Sequence, residues 1–258
     1  MKNKIWVGTN WKMTKTIREG LSYTEELISI AENISSNIEL FIIPSYTALV
    51  PIKKLTSNSR VHIGSQNMHW EDQGAFTGEI SPKMLDEIGV NIIELGHSER
   101  RQYYNENDED INKKVHSGLK YGMKPLVCIG ENIEQKANGI SKEMLAAQLK
   151  VCLKDLTEEQ AQQVMIAYEP VWAIGESGIP ADATYVSEIH QFLREQLMNL
   201  FGDAGSAVPL LYGGSVNFDN FIEYIDIEDV NGLFIGRSAW NTESFEKILH
   251  RLDEHLFA

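Results

Sequence analysis

Residues 164–212 read VMIAYEPVWAIGESGIPADATYVSEIHQFLREQLMNLFGDAGSAVPLLY. They hold an apolar, β-rich run (Val164–Glu169), a loop, an amphipathic stretch (Thr184–Leu200) and a second apolar run (Pro209–Tyr212). In the amphipathic stretch Ile189, Phe192, Leu193 and Leu197 recur at helical spacing. Working outward, the same alternation fills the chain. Further strands are expected at Ile5–Thr9, Leu40–Pro44, Val61–Ser65, Asn91–Leu95, Pro125–Ile129 and Gly232–Ile235. Helical patterns include Arg18–Ala31, Asp108–Tyr121, Lys142–Leu153 and Ser244–His255. Strict strand–helix alternation implies a parallel sheet, and eight units imply a closed (β/α)8 barrel ringed by helices. An open doubly wound sheet is the alternative, but no G-x-G-x-x-G follows the first strand. No linker or low-complexity stretch divides residues 1–258, so one α/β domain is expected.

The loop after Glu169 is unusual for a turn. Pro170 stiffens its exit, its tip is apolar (Val171, Trp172, Ala173, Ile174), and Gly175 and Gly178 punctuate its far side. Turn tips are ordinarily polar. A carboxylate at a strand end followed by a stiff-edged apolar loop reads as a catalytic base with its own lid.

The formal net charge is −14. It repels phosphate backbones and anionic membranes, so neither nucleic acid nor membrane is an expected partner. An anionic substrate has to be captured by local groups. Two cysteines, Cys128 and Cys152, offer neither a disulfide framework nor metal-ligand spacing, which suits a reducing compartment. The N-terminal apolar run breaks at Asn10 and Lys12, too soon for a signal-peptide core. A soluble cytoplasmic protein without metal or cofactor is expected.

In such barrels chemistry gathers in the loops at the strand C-termini. Those loops supply Asn10 and Lys12, Gln66 and Asn67, His97 and Glu99, Glu131, Glu169, Gly213-Gly214-Ser215, and Gly236-Arg237-Ser238. Singly, each has a plain explanation as a solvated lysine, a satisfied histidine or a tight turn. Together they converge on one face. The glycines on neighbouring loops, one of them before a helix expected near Asn217, suit a phosphate cradle of backbone N–H groups. Glu169 is the candidate general base. His97, at the start of a short helix, would feel a field that disfavours imidazolium, leaving a neutral electrophile. Lys12 is a fixed cation for an enediolate or phosphate, and Asn10 a donor beside it. This set suits proton abstraction next to a carbonyl in a small sugar phosphate, ketose or aldose.

Asn10-Trp11-Lys12-Met13, Gly74–Glu79, Gly96-His97-Ser98-Glu99-Arg100-Arg101, Ala167–Gly175 and Tyr212–Val216 resemble, in order along the whole chain, the triosephosphate isomerase family. That family is the type case for a glutamate base, a neutral histidine and a closing loop. The resemblance implies the TIM barrel and gives Glu169 as base, His97 as electrophile, Asn10 and Lys12 as substrate binders, and Glu99 as a carboxylate behind them. Gly175, Gly214, Ser215, Gly236 and the backbone of Arg237 become the phosphate donors. Thr77 falls on the loop that enters a neighbouring subunit in this family, which implies a homodimer.

Two stretches depart from the common triose pattern: the lid's second half, Glu176-Ser177-Gly178-Ile179-Pro180, and Gly236-Arg237-Ser238-Ala239-Trp240 after strand 8. With the loop Gln66–Gln73 they resemble the L-erythrulose 1-phosphate isomerase branch of erythritol catabolism. The triose reaction of glycolysis is the alternative, and a catalytically silent sugar-phosphate barrel a third. Arg237 has two readings, a side chain in solvent or a charge-assisted contact near the phosphate. A positive φ there would cost roughly 1–2 kcal/mol.

Overall fold

The computed structural model describes residues 4–175 and 178–257; Glu176 and Ser177 of the expected lid lie outside them. Eight strands form a closed barrel in sequence order: β1 (Ile5–Asn10), β2 (Ile38–Ile43), β3 (His62–Ser65), β4 (Ile92–Leu95), β5 (Lys124–Ile129), β6 (Met165–Tyr168), β7 (Leu210–Tyr212) and β8 (Gly232–Phe234). Every neighbouring pair is parallel, and β1 closes on β8 with Val7 opposite Leu233 and Gly8 opposite Phe234. The chain is thus a single (β/α)8 barrel.

Alternation along each strand makes two cores. On β5, Leu126 and Cys128 point into the barrel with Phe41, Ile43, Ile92, Met165, Leu211 and Phe234. Val127 and Ile129 point outward, into the layer between strands and helices. Gly8 is needed inside: a methyl there would strike the Phe41 ring, which stacks on Phe234 at 5.6 Å. Helices form where the periodicity predicts them, as Ile17–Glu32, Asp108–Lys120, Ser141–Cys152, Ala183–Phe201 and Thr242–Phe257. The first opens on a capping box, Thr16 with Glu19.

Several boundaries move for local reasons. Pro44 lies beyond β2, which instead starts at Ile38 opposite Ile5, because proline has no N–H for the ladder. The helix expected near Asn217 begins only at Phe221. Asn217 Oδ1 accepts the Asp219 N–H at 2.8 Å and Asn220 Oδ1 accepts the Asn217 N–H at 2.8 Å. Such side-chain bonds hold a turn in competition with a helix. No helix among the described residues is long and apolar enough to cross a membrane.

Candidate active site

At the C-terminal mouth of the barrel lies a cavity of about 670 Å³, reached by Asn10, Lys12, His97, Glu99 and Glu169 and by the loops after β7 and β8. Glu169 follows β6 directly. Its N–H donates to the Ile129 carbonyl at 2.8 Å, while Gly213 N–H donates to Tyr168 at 2.9 Å, so both neighbouring strands hold its backbone. Its side chain is buried, with Oε1 3.9 Å from His97 Nε2 and Oε2 without a partner. A Cβ on Gly213 would come within 2.8 Å of Glu169 Cγ. Gly213 therefore serves the carboxylate's position as well as the turn. Gly213→Ala should lower kcat on the order of tenfold or more by displacing that carboxylate, with the fold retained. Wild-type kcat in a variant of normal circular dichroism would refute this role for the glycine.

His97 caps the helix Ser98–Tyr104 with its own side chain: Nδ1 accepts the Glu99 N–H at 3.1 Å. A nitrogen that accepts is bare, so the ring's proton sits on Nε2, on the side of Glu169. Lys12 takes a left-handed conformation, φ 53°. For a lysine that geometry costs about 1–3 kcal/mol, and three contacts hold it. Its N–H donates to Asn10 Oδ1 at 2.6 Å, its carbonyl accepts from Gln66 Nε2 at 2.8 Å, and its ammonium meets Glu99 Oε1 at 2.7 Å. An ammonium has two further hydrogens for the cavity. Asn10 is more committed than a free donor: Nδ2 donates one hydrogen to Glu94 Oε2 at 2.6 Å, leaving the other. Its carbonyl accepts from the Trp240 indole at 2.8 Å.

The first half of the lid folds onto the barrel instead of standing free. Val171–Ala173 is a turn of 3-10 helix, and Trp172 Nε1 donates to Glu131 Oε1 at 2.8 Å. Tyr185 donates to the same oxygen at 2.8 Å, and the Lys136 ammonium lies 3.4 Å from the Trp172 ring centre. Trp172 is half-buried there, so the apolar tip has a seat. Gly175 (φ 87°), Gly214, Ser215, Gly236 and Arg237 all border the cavity. Arg237 opens a short 3-10 turn and is absent from the positive-φ residues, so its backbone carries no such strain. Its side chain is exposed at the rim of the cavity. Nη2 donates to the Gly175 carbonyl at 2.7 Å, binding the lid segment to the loop after β8. Thr77 is exposed near the tip of the loop after β3, beside Phe76, which packs on His69.

Sequence reasoning missed Glu94, which lies beside the buried Cys128. Both point into the barrel just beneath the site, and with Glu169 they bring potential ligand atoms within 4.8 Å of one another. Burial, with the Glu169 charge next, pushes the Glu94 carboxyl well above its usual range and the Cys128 thiol likewise. Protonated groups are poor metal ligands. The available signal was one acid in an apolar strand, two residues after inward-facing Ile92.

The triosephosphate isomerase family profile matches residues 5–252. The chain belongs to the triosephosphate isomerase family. Within it, a protein of Rhizobium etli named L-erythrulose-1-phosphate isomerase is 44% identical over 96% of this chain and 92% of its own length. Proteins of the same name from Brucella abortus and Mesorhizobium japonicum are 44% and 42% identical, over 96% and 97% of this chain and 96% and 98% of theirs. Among solved structures, triosephosphate isomerase from Bartonella henselae superposes with a TM-score of 0.85 at 34% identity, covering 96% of this chain and 99% of its own. Family membership thus spans both the triose enzyme and relatives named for a four-carbon sugar phosphate.

Proposed function

We propose that this protein is a cofactor-independent isomerase that converts L-erythrulose 1-phosphate to D-erythrulose 4-phosphate through an enediolate. The observation that carries the reaction type is the convergence of Glu169, His97, Lys12 and Asn10 on one cavity, with Glu169 Oε1 3.9 Å from His97 Nε2. The substrate is supported by the names of relatives more than 40% identical over nearly the whole chain.

Glu169 removes the C3 hydrogen as a proton. The electrons left behind form the C2–C3 double bond, and the C2 oxygen becomes an enediolate oxygen facing the His97 Nε2–H and the Lys12 ammonium. His97 carries the hydroxyl proton from the C3 oxygen to the C2 oxygen, and Glu169 returns its proton to C2. One C–H bond breaks and one forms. Counted from the other end, the product is again a ketose, its phosphate now on C4, so no external oxidant or reductant is required. Backbone N–H groups at Gly175, Gly214, Ser215, Gly236 and Arg237 hold the phosphate. Glu99 tethers Lys12.

The substrate test is kcat/KM for L-erythrulose 1-phosphate and for glyceraldehyde 3-phosphate on the same preparation. Preference for the tetrulose is expected. Preference for the triose would make the protein a glycolytic isomerase, and turnover of neither would leave a silent barrel. A cytoplasmic homodimer in erythritol breakdown is part of the same proposal. The exposed Met13, Phe76, Tyr103 and Tyr104 support the dimer. Light scattering at micromolar concentration should give twice the chain mass; an active monomer would reject it.

A further inference from the structure

We propose that Glu94 is a positioning residue of this active site, which fixes the Asn10 amide from the barrel floor beneath the Glu169 carboxylate. The inference rests on the isomerase reading and deepens it.

Glu94 is completely buried on β4, among the side chains that fill the barrel. Its Oε2 accepts from Asn10 Nδ2 at 2.6 Å, and Asn10 Oδ1 in turn accepts the Lys12 N–H at 2.6 Å. An amide whose nitrogen and oxygen are both engaged cannot flip. Glu94 therefore sets which face of Asn10 the substrate meets and, one bond further on, supports the left-handed backbone of Lys12. Its second oxygen faces the Cys128 thiol at 3.9 Å. An oxygen of Glu169 lies within 4.8 Å of a Glu94 oxygen, close enough for strong electrostatic coupling.

The groups facing Glu94 are Asn10 from β1, Cys128 from β5 and Glu169 after β6, with Lys12 and Glu99 acting from the loops. Two buried carboxylates this close do not both ionise. Glu169 opens on the cavity and Glu94 does not, so Glu94 keeps the proton. Burial first and the Glu169 charge second hold it protonated. The barrel floor then presents a neutral acid beneath the candidate base. The folded protein holds a proton that the unfolded chain releases above the ordinary carboxylate range. This contribution to stability therefore falls as pH rises above the ordinary carboxylate range.

Glu94→Leu removes the acceptor, while Glu94→Gln restores one without charge. The leucine variant should lose about 10- to 100-fold in kcat through misplacement of Asn10. Glutamine should recover most of that loss, to within about threefold of wild type, and leave the acidic limb of the kcat/KM–pH profile in place. Its melting temperature should exceed that of wild type by more at about pH 8 than at about pH 5. Wild-type kinetics in the leucine variant would overturn the positioning role. So would a glutamine variant as poor as leucine. An acidic limb displaced to lower pH by glutamine would mean that Glu94 is an ionised neighbour, as would a melting offset independent of pH. Should leucine prevent folding, the glutamine profile and its melting offset still decide. An inactive wild type would sink the reaction itself; an active one with any of these contrary results sinks the role of Glu94 alone.

Discussion

Glu169→Gln should fold normally and lose about 10²–10⁴-fold in kcat, the range contributed by a positioned general base. Glutamine has nearly the same volume, so it fits beside Gly213, where added bulk is not tolerated. The backbone bonds to Ile129 and from Gly213 do not involve the side chain. What disappears is the ability to hold the substrate's proton between its removal and its return. KM should change little by comparison, because phosphate capture is assigned to other loops. Exchange of the C3 hydrogen with solvent deuterium, followed by NMR, should vanish with turnover. Retained kcat would remove Glu169 from the mechanism and leave the cavity without a base.

The second large effect is expected at His97. His97→Gln should reduce kcat by about 10²–10³-fold, the usual loss when one donor to a developing oxyanion is removed. The ring does two jobs that glutamine cannot combine. Its bare Nδ1 takes the Glu99 N–H at 3.1 Å, which fixes the proton on Nε2. That Nε2 lies on the Glu169 side of the cavity, where it can both give and accept a proton during the hydroxyl transfer. An amide can donate but cannot shuttle. A variant within threefold or so of wild type would show that another donor, with Lys12 the nearest candidate, carries the oxyanion.

Much of this was legible in the chain because it depends on local rules. Period-two and period-3.6 patterns marked the strands and the longer helices. The residues following the strands marked the mouth of the barrel, since the closed parallel topology sends all of them to one end. What escaped depends on contacts that no spacing encodes. The late start of the helix Phe221–Ile225 follows from two asparagine side chains bonding to the turn before it. Trp172 looked like an exposed tip because Glu131, Tyr185 and Lys136, which receive it, come from other segments. Glu94 looked like one polar residue in an apolar strand until the barrel closed and set Asn10 over it. Arg237 was weighed against solvent and phosphate. Its acceptor is a backbone carbonyl, and a carbonyl is the same at every position in a sequence.

That last contact joins two loops 62 residues apart through one guanidinium. The segment after β6 and the turn after β8 therefore share a mechanical linkage. A substitution at position 237 alters the hinge of the other loop as directly as a substitution within that loop would. Because the acceptor is backbone, the fastening depends on the side chain at position 237 and not on the identity of the residue at position 175.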